Sequence, residues 1–288
     1  MICNKMNMNK LLIFTSVMCL VLAVSCSDSV TLKVMSYNVR LDTSSDGDNA
    51  WEYRKEATLA MLEELRPDVF GVQEALPNQV EYISANAPMY DNVGVGREDG
   101  KSDGEHMSVF WNTETIEMIE WGTYWLSETP EEPSFGWDAA CRRTATWTLM
   151  KDRRNGRKFF FVNTHLDHRG VLARKEGLKL LVDRISAMNP DSYPMVLTGD
   201  FNMESDHPSL ADLNEIMTST RTIAAKTDSH ITYNGWGACT GSDGVENVID
   251  YIYVSGFSSV PEYATIVKRY ADKPYISDHY PILSVLEY

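Results

Sequence analysis

The chain has 288 residues, 43% of them hydrophobic and 23% charged, a globular composition long enough to bury a sizeable core without covalent staples. It carries 41 acidic against 26 basic side chains, a net charge of −15. Such a field repels polyanions, so binding of long DNA or RNA, which requires phosphate neutralisation by Lys and Arg, is disfavoured.

The first element is a targeting segment. Lys5 and Lys10 form a positive start, and the apolar run from Leu11 to Val24 is short for a membrane span. Leu22-Ala23-Val24-Ser25-Cys26 resembles a bacterial lipobox, although Ala23 stands where leucine is usual. The expectation is a signal peptide over 1–25, a lipidated Cys26 as membrane anchor, and an exported domain over 30–288 on the periplasmic or cell-surface side. A plain secretory signal is the alternative. Without Lys5 and Lys10, 24 basic face 41 acidic side chains, a charge of −17. Only Cys141 and Cys239 remain beyond the anchor, too few for a disulfide framework, and no Cys-x-x-Cys pair argues for zinc.

Thr31 to Tyr37 alternates as a strand, with Leu32, Val34 and Ser36 sharing a face. After a polar loop, Trp51 to Leu65 reads as a helix with Leu59, Leu62 and Leu65 at helical spacing, stopped by Pro67. Val69 to Gln73 is a short apolar strand, and a helix starts at Pro77 and runs to Asn86. Strands at Met107–Trp111 and Ile116–Tyr124 flank a turn at Asn112–Glu114. Thr144–Met150 and Lys158–Asn163 flank Asn155-Gly156, a hairpin signal because this dipeptide tolerates positive φ. Arg174 to Met188 is a helix with Leu178, Leu181, Val182 and Ile185 as its stripe, and Met195–Thr198, Tyr251–Val254 and Ile282–Leu286 complete the strands. No linker divides this series, which predicts one domain of two packed sheets covered by helices.

Polar residues recur at the C-terminal ends of these strands, where open sheets build their sites. They are Asn38, Gln73-Glu74, Asn163-Thr164-His165, Gly199-Asp200-Phe201-Asn202, Asp250 and Ser277-Asp278-His279. Taken singly each has a structural explanation: Asn38 a turn cap, Asp200 an N-cap, Glu74 a surface acid, His165 a core histidine. Six in order, each after a strand, point to chemistry.

The ordered set resembles the endonuclease/exonuclease/phosphatase family, with Gly-Asp-Phe-Asn and the terminal Ser-Asp-His its most specific parts; the resemblance runs from about Leu32 to Leu286. It implies a deoxyribonuclease I-like fold, a four-layer α/β/β/α sandwich of two mostly antiparallel sheets. It also implies a Mg²⁺-dependent phosphoester hydrolase, with Mn²⁺ able to substitute. By the same resemblance Glu74 is the principal metal ligand, assisted by Asn38 and Asp278. His279 is the catalytic histidine, oriented by Asp250. Asp200 and Asn202 orient or deprotonate the attacking water, and His165 contacts the phosphate. The resemblance leaves open whether Asp200 or His279 is the base.

Arg97 and Arg143 are further candidates for the phosphate, and Asp167, His168 and Arg174 for specificity. Arg40 stands where some nucleases of the family carry an acid. Trp121, Tyr124, Trp125, Trp137, Trp147 and Trp236 serve either an aromatic pocket or the core. The expected activity is hydrolysis of a small or lipid-linked phosphoester outside the cytoplasm by a monomer. A nuclease is the alternative, and an inactive binding lipoprotein a third reading.

Overall fold

The computed structural model describes Met1, residues 30–241 and residues 246–288. The expected signal peptide and the lipidated Cys26 lie outside the described residues. Its elements run β1 (Thr31–Asn38), α1 (Trp51–Leu65), β2 (Val69–Gln73), α2 (Pro77–Asn86), β3 (Tyr90–Val93), β4 (Val109–Asn112), β5 (Ile116–Trp125), β6 (Thr144–Asp152) and β7 (Lys158–His165). There follow α3 (Val171–Met188), β8 (Met195–Asp200), α4 (Ala211–Ile216), β9 (Thr218–Ser219), α5 (Thr220–Ile223), β10 (Asp250–Ser255), β11 (Ser259–Thr265) and β12 (Ile282–Glu287).

Two six-stranded sheets form, in the orders β11-β12-β1-β2-β4-β3 and β5-β6-β7-β8-β10-β9. Among these strands β1–β2 and β7–β8 pair in parallel, and each pair is bridged by a helix, as a parallel connection requires. Three apolar clusters make the layers. Leu32, Val34 and Val69 meet Phe159, Phe161, Val196 and Ile252 between the sheets. Met35, Tyr37, Phe70 and Val72 take Trp51, Met61, Leu62 and Ile83 from α1 and α2 on one outer face. Phe160, Val162 and Leu197 take Leu178, Leu181, Ile185 and Leu213 from α3 and α4 on the other. The fold is the four-layer α/β/β/α sandwich.

Three sequence expectations change. The turn after Trp111 carries the chain from one sheet to the other, because β4 pairs with β2 and β3 while β5 pairs with β6. The buried face of α1 runs through Trp51, Arg54, Thr58, Met61 and Leu62, whereas Leu59 and Leu65 are half-buried. Arg54 sits inside this layer because its guanidinium donates to the carbonyls of Val39, Arg40, Asn49 and Ile276. Edge strands β3 and β11 carry too little alternation to be read beforehand.

The sheets are also joined by polar groups. Asn163 Oδ1 accepts from Gln73 Nε2 at 2.6 Å and from Thr198 Oγ1 at 3.1 Å, while its amide donates to the carbonyls of Val72 and Ser108 at 2.8 and 3.2 Å. Gln73 Nε2 also donates to Ser36 Oγ at 3.2 Å. All are buried. Gly71 lets them approach, since a Cβ there would lie 2.4 Å from Asn163 Cγ. Asn163→Ala leaves two side chains and two carbonyls short of a partner, so a stability loss of about 2–4 kcal/mol is expected by denaturant unfolding. A wild-type midpoint for this variant would show that the amide is not joining the sheets.

Candidate active site

The polar tie lies directly beneath a cleft. Ser36, Gln73, Asn163 and Thr198 precede Asn38, Glu74, His165 and Asp200 by one or two residues, so the ends of β1, β2, β7 and β8 deliver four polar side chains to one edge of the sandwich. The remaining two groups arrive from strands running the other way. Asp250 is the first residue of β10, not an end, and antiparallel pairing sets it opposite Asp200. Asp278 and His279 precede β12, whose first residue Ile282 pairs with Ser36. The cleft holds about 490 Å³ and is lined by Arg40, Glu74, His165, Asp200, Asn202, Asp278 and His279, among others.

His279 Nδ1 lies 2.8 Å from Asp250 Oδ2, which sets that nitrogen as the donor and turns Nε2 toward Asp200 Oδ2 at 3.7 Å. Burial disfavours the imidazolium, but Asp250 and then Asp200 outweigh it and raise His279 to about 10. Burial, then the Asp250 charge, push Asp200 up to about 7. Asp200 accepts from Asn38 Nδ2 at 3.1 Å and from the Asn202 backbone N–H at 2.9 Å. His165 is the opposite case. Burial, helped by Arg143 and Arg97, holds it well below the ordinary histidine value, and the neutral ring accepts at Nε2 from Asn202 Nδ2 at 2.9 Å. Asp200 Oδ2 at 3.4 Å is therefore its neighbour, not an ion-pair partner.

Glu74 takes a left-handed backbone, φ 61°, an uncommon geometry for a side chain of its size. Its oxygens accept from Asn38 Nδ2 at 3.1 Å and from the Leu41 N–H at 3.2 Å. Asn38 thus bridges Glu74 and Asp200 through its NH₂, and its Oδ1 is taken by the Arg40 N–H at 2.9 Å. Arg40 is held by both oxygens of Asp46 and stands 3.8 Å from Glu74 and from Asp278. Burial first, then Glu74 among the nearby charges, raise Asp278. Carboxylates this crowded, with ligand atoms of Glu74, His165 and Asp200 within 4.8 Å of one another, suit a hard divalent cation that would relieve their repulsion.

Of the outlying candidates, Arg40, Arg143 and His168 line the cleft, whereas Arg97, Asp167 and Arg174 do not. Arg97 Nη1 pairs with Glu105 at 2.5 Å, and Arg174 Nη1 donates to the Asp167 carbonyl at 2.9 Å. Asp167 is a loop lock. It accepts from the N–H groups of Ala140, Cys141, Arg169 and Gly170, which overcome its burial and hold it at about 2. The six aromatics left open between pocket and core stay out of the cleft lining: Tyr124 and Trp125 are core, Trp121 is exposed, and Trp236 packs over Arg54. Tyr233, its ring 5.0 Å from that of His279, lines it instead. Glu105 and Cys141 also went unread, because neither sits in a spacing pattern. Cys141 and Cys239 are both free thiols.

The His279 value has a consequence for stability. It lies above the ordinary 6.5, so the pair with Asp250 stabilises fully below about pH 6.5 and fades as pH rises through 10. In metal-free protein, Asp250→Asn should lose about 3 kcal/mol near pH 6.5, and the gap to wild type should narrow toward pH 10. Denaturant unfolding at the two pH values measures this, and a constant gap would contradict it.

Residues 35–279 match the profile of the Endonuclease/Exonuclease/phosphatase family. A mannosyl-6-phosphatase of Bacteroides thetaiotaomicron superposes with a TM-score of 0.84 at 32% identity, over 89% of this chain and 100% of that one. A family protein of Bacteroides vulgatus does so at 0.83 and 33%, over 90% and 99%. D. rerio TDP2, complexed with a single-strand DNA product, reaches 0.70 at 17% identity over 90% and 99%, a likeness of fold alone. The chain belongs to the endonuclease/exonuclease/phosphatase family of phosphoester hydrolases.

Proposed function

We propose that the protein is a divalent-metal-dependent phosphatase of small phosphate esters, with sugar phosphates the first candidates. The observation that carries this reading is the Asp250–His279–Asp200 array beside Glu74 in one cleft of about 490 Å³, room for a small molecule. The acidic net charge of −15 argues against a polyanionic substrate. The likeness to a mannosyl-6-phosphatase at 32% identity supports a sugar-linked phosphate. We further propose that the enzyme works outside the cytoplasm, as a monomer anchored through Cys26 after loss of residues 1–25.

Glu74 and Asp278 would hold the metal, with Asn38 keeping Glu74 and Asp200 in place. Mg²⁺ fits this oxygen-rich set, Mn²⁺ can substitute, and either supplies charge neutralisation on the phosphoryl oxygens. His279, protonated through neutral pH, is a stabiliser of developing negative charge and a poor base. Asp200, whose proton affinity burial and the Asp250 charge raise and whose carboxylate lies beside Glu74, is then the group placed to take a proton from water. Asn202 and neutral His165, bonded to each other beside Asp200, would meet the phosphoryl group.

Chelation with EDTA should abolish hydrolysis, and added Mg²⁺ or Mn²⁺ should restore it. Asp200→Ala and His279→Ala should retain the fold by circular dichroism and lose about 10²–10⁴-fold in kcat. Mannose 6-phosphate should outrun bis-p-nitrophenyl phosphate and DNA, and DNA as the best substrate would overturn the reading. Cys26→Ala should move the protein from the membrane fraction to the soluble one, and unchanged partitioning would overturn the anchor.

A further inference from the structure

The cleft has a second polar wall that the reaction centre does not use. Arg143 is 5% exposed, and most of its fork is engaged: Nε lies 3.4 Å from Asp167 Oδ2, and Nη2 is 3.0 Å from His168 Nδ1. Its Nη1 has no hydrogen-bond partner and faces Glu105 Oε2 across 3.9 Å. Glu105 is held from behind by Arg97 Nη1 at 2.5 Å. Arg143 and Glu105 both line the cleft with Glu74, His165 and Asp200, so this wall adjoins the phosphoryl position.

A buried donor and an acceptor 3.9 Å apart are too far to bond each other and close enough to share one atom between them. Phosphate does not fit the gap, because the Glu105 carboxylate repels an anion. An apolar group leaves a guanidinium N–H unsatisfied in a buried wall. A hydroxyl satisfies both sides, accepting from Nη1 and donating to Oε2.

We propose that Arg143 Nη1 and Glu105 form a specificity subsite that reads a hydroxyl of the leaving alcohol, which selects phosphate esters of polyols. The inference rests on the phosphatase reading and narrows its substrate class. Arg143 is then a reader of the alcohol and not the bidentate phosphate clamp that its guanidinium suggests, since Asp167 and His168 hold the rest of the fork.

The test compares kcat/KM for mannose 6-phosphate with that for phenyl phosphate, whose leaving group carries no further hydroxyl. Glu105→Ala should lower the ratio of the two by about tenfold to a hundredfold, chiefly through the KM of the sugar ester. Glu105→Gln, which keeps the shape and one acceptor, should recover part of it and covers the case in which the alanine variant fails to fold. An unchanged ratio in Glu105→Gln and in folded Glu105→Ala overturns the subsite and leaves the phosphatase reading standing. Hydrolysis of neither ester by the wild type overturns both.

Discussion

The site depends on one buried amide. Asn163 binds groups of both sheets at once, and its four partners exhaust its donors and acceptors. Apolar contact between the sheets supplies most of the adhesion, but it is non-directional and tolerates sliding. A hydrogen-bonded amide in a dry interface does not, because any slip leaves polar groups unpaired. The tie also sits one or two residues below Asn38, Glu74, His165 and Asp200, so the register of the sheets and the geometry of the site are one constraint.

Above that tie, electrostatics divide the labour. Four carboxylates share a small volume with two histidines, and their surroundings drive the histidines apart. His279 is clamped by Asp250 and kept charged; His165 is buried among arginines and kept neutral. Asp200 lies between them and takes on an affinity for protons near neutrality. Pairs of titratable groups with separated values are the usual means by which one site offers both an acid and a base. The crowding of Glu74, Asp200 and Asp278 is unfavourable by itself and is the feature that a dication would correct.

The other wall follows a different rule. Glu105 and Arg143 in this wall, with Arg97 and Asp167 outside the cleft lining, alternate in sign, each charge bounded by its opposite. Such a row holds little net charge and presents directional donors and acceptors, which discriminate among neutral polar groups better than among anions. A cleft with one wall for the phosphoryl group and one for its alcohol fits a small ester more closely than a nucleic-acid backbone.

Much of this was legible beforehand. The ends of α1 and α2 were readable from an apolar pattern closed by Pro67 and opened by Pro77, and the hairpin of β6 and β7 from Asn155-Gly156. Asn38, Glu74, His165, Asp200, Asp250 and His279 were nameable as a set because their short motifs recur in the order of a known family, although Asp250 and His279 precede strands and do not end them. Local pattern could not show that β4 and β5 part into different sheets, since pairing is decided by partners far away in sequence. Nor could it separate Arg143 from Arg97 and Arg174, or find Glu105, because which charge faces the cleft depends on the three-dimensional row of ion pairs. The sequence by itself determined the chemistry available to this protein, through residue types at strand ends. Only the tertiary structure decided which charges meet and which protons stay bound, because burial and distance set those energies and neither is written in spacing.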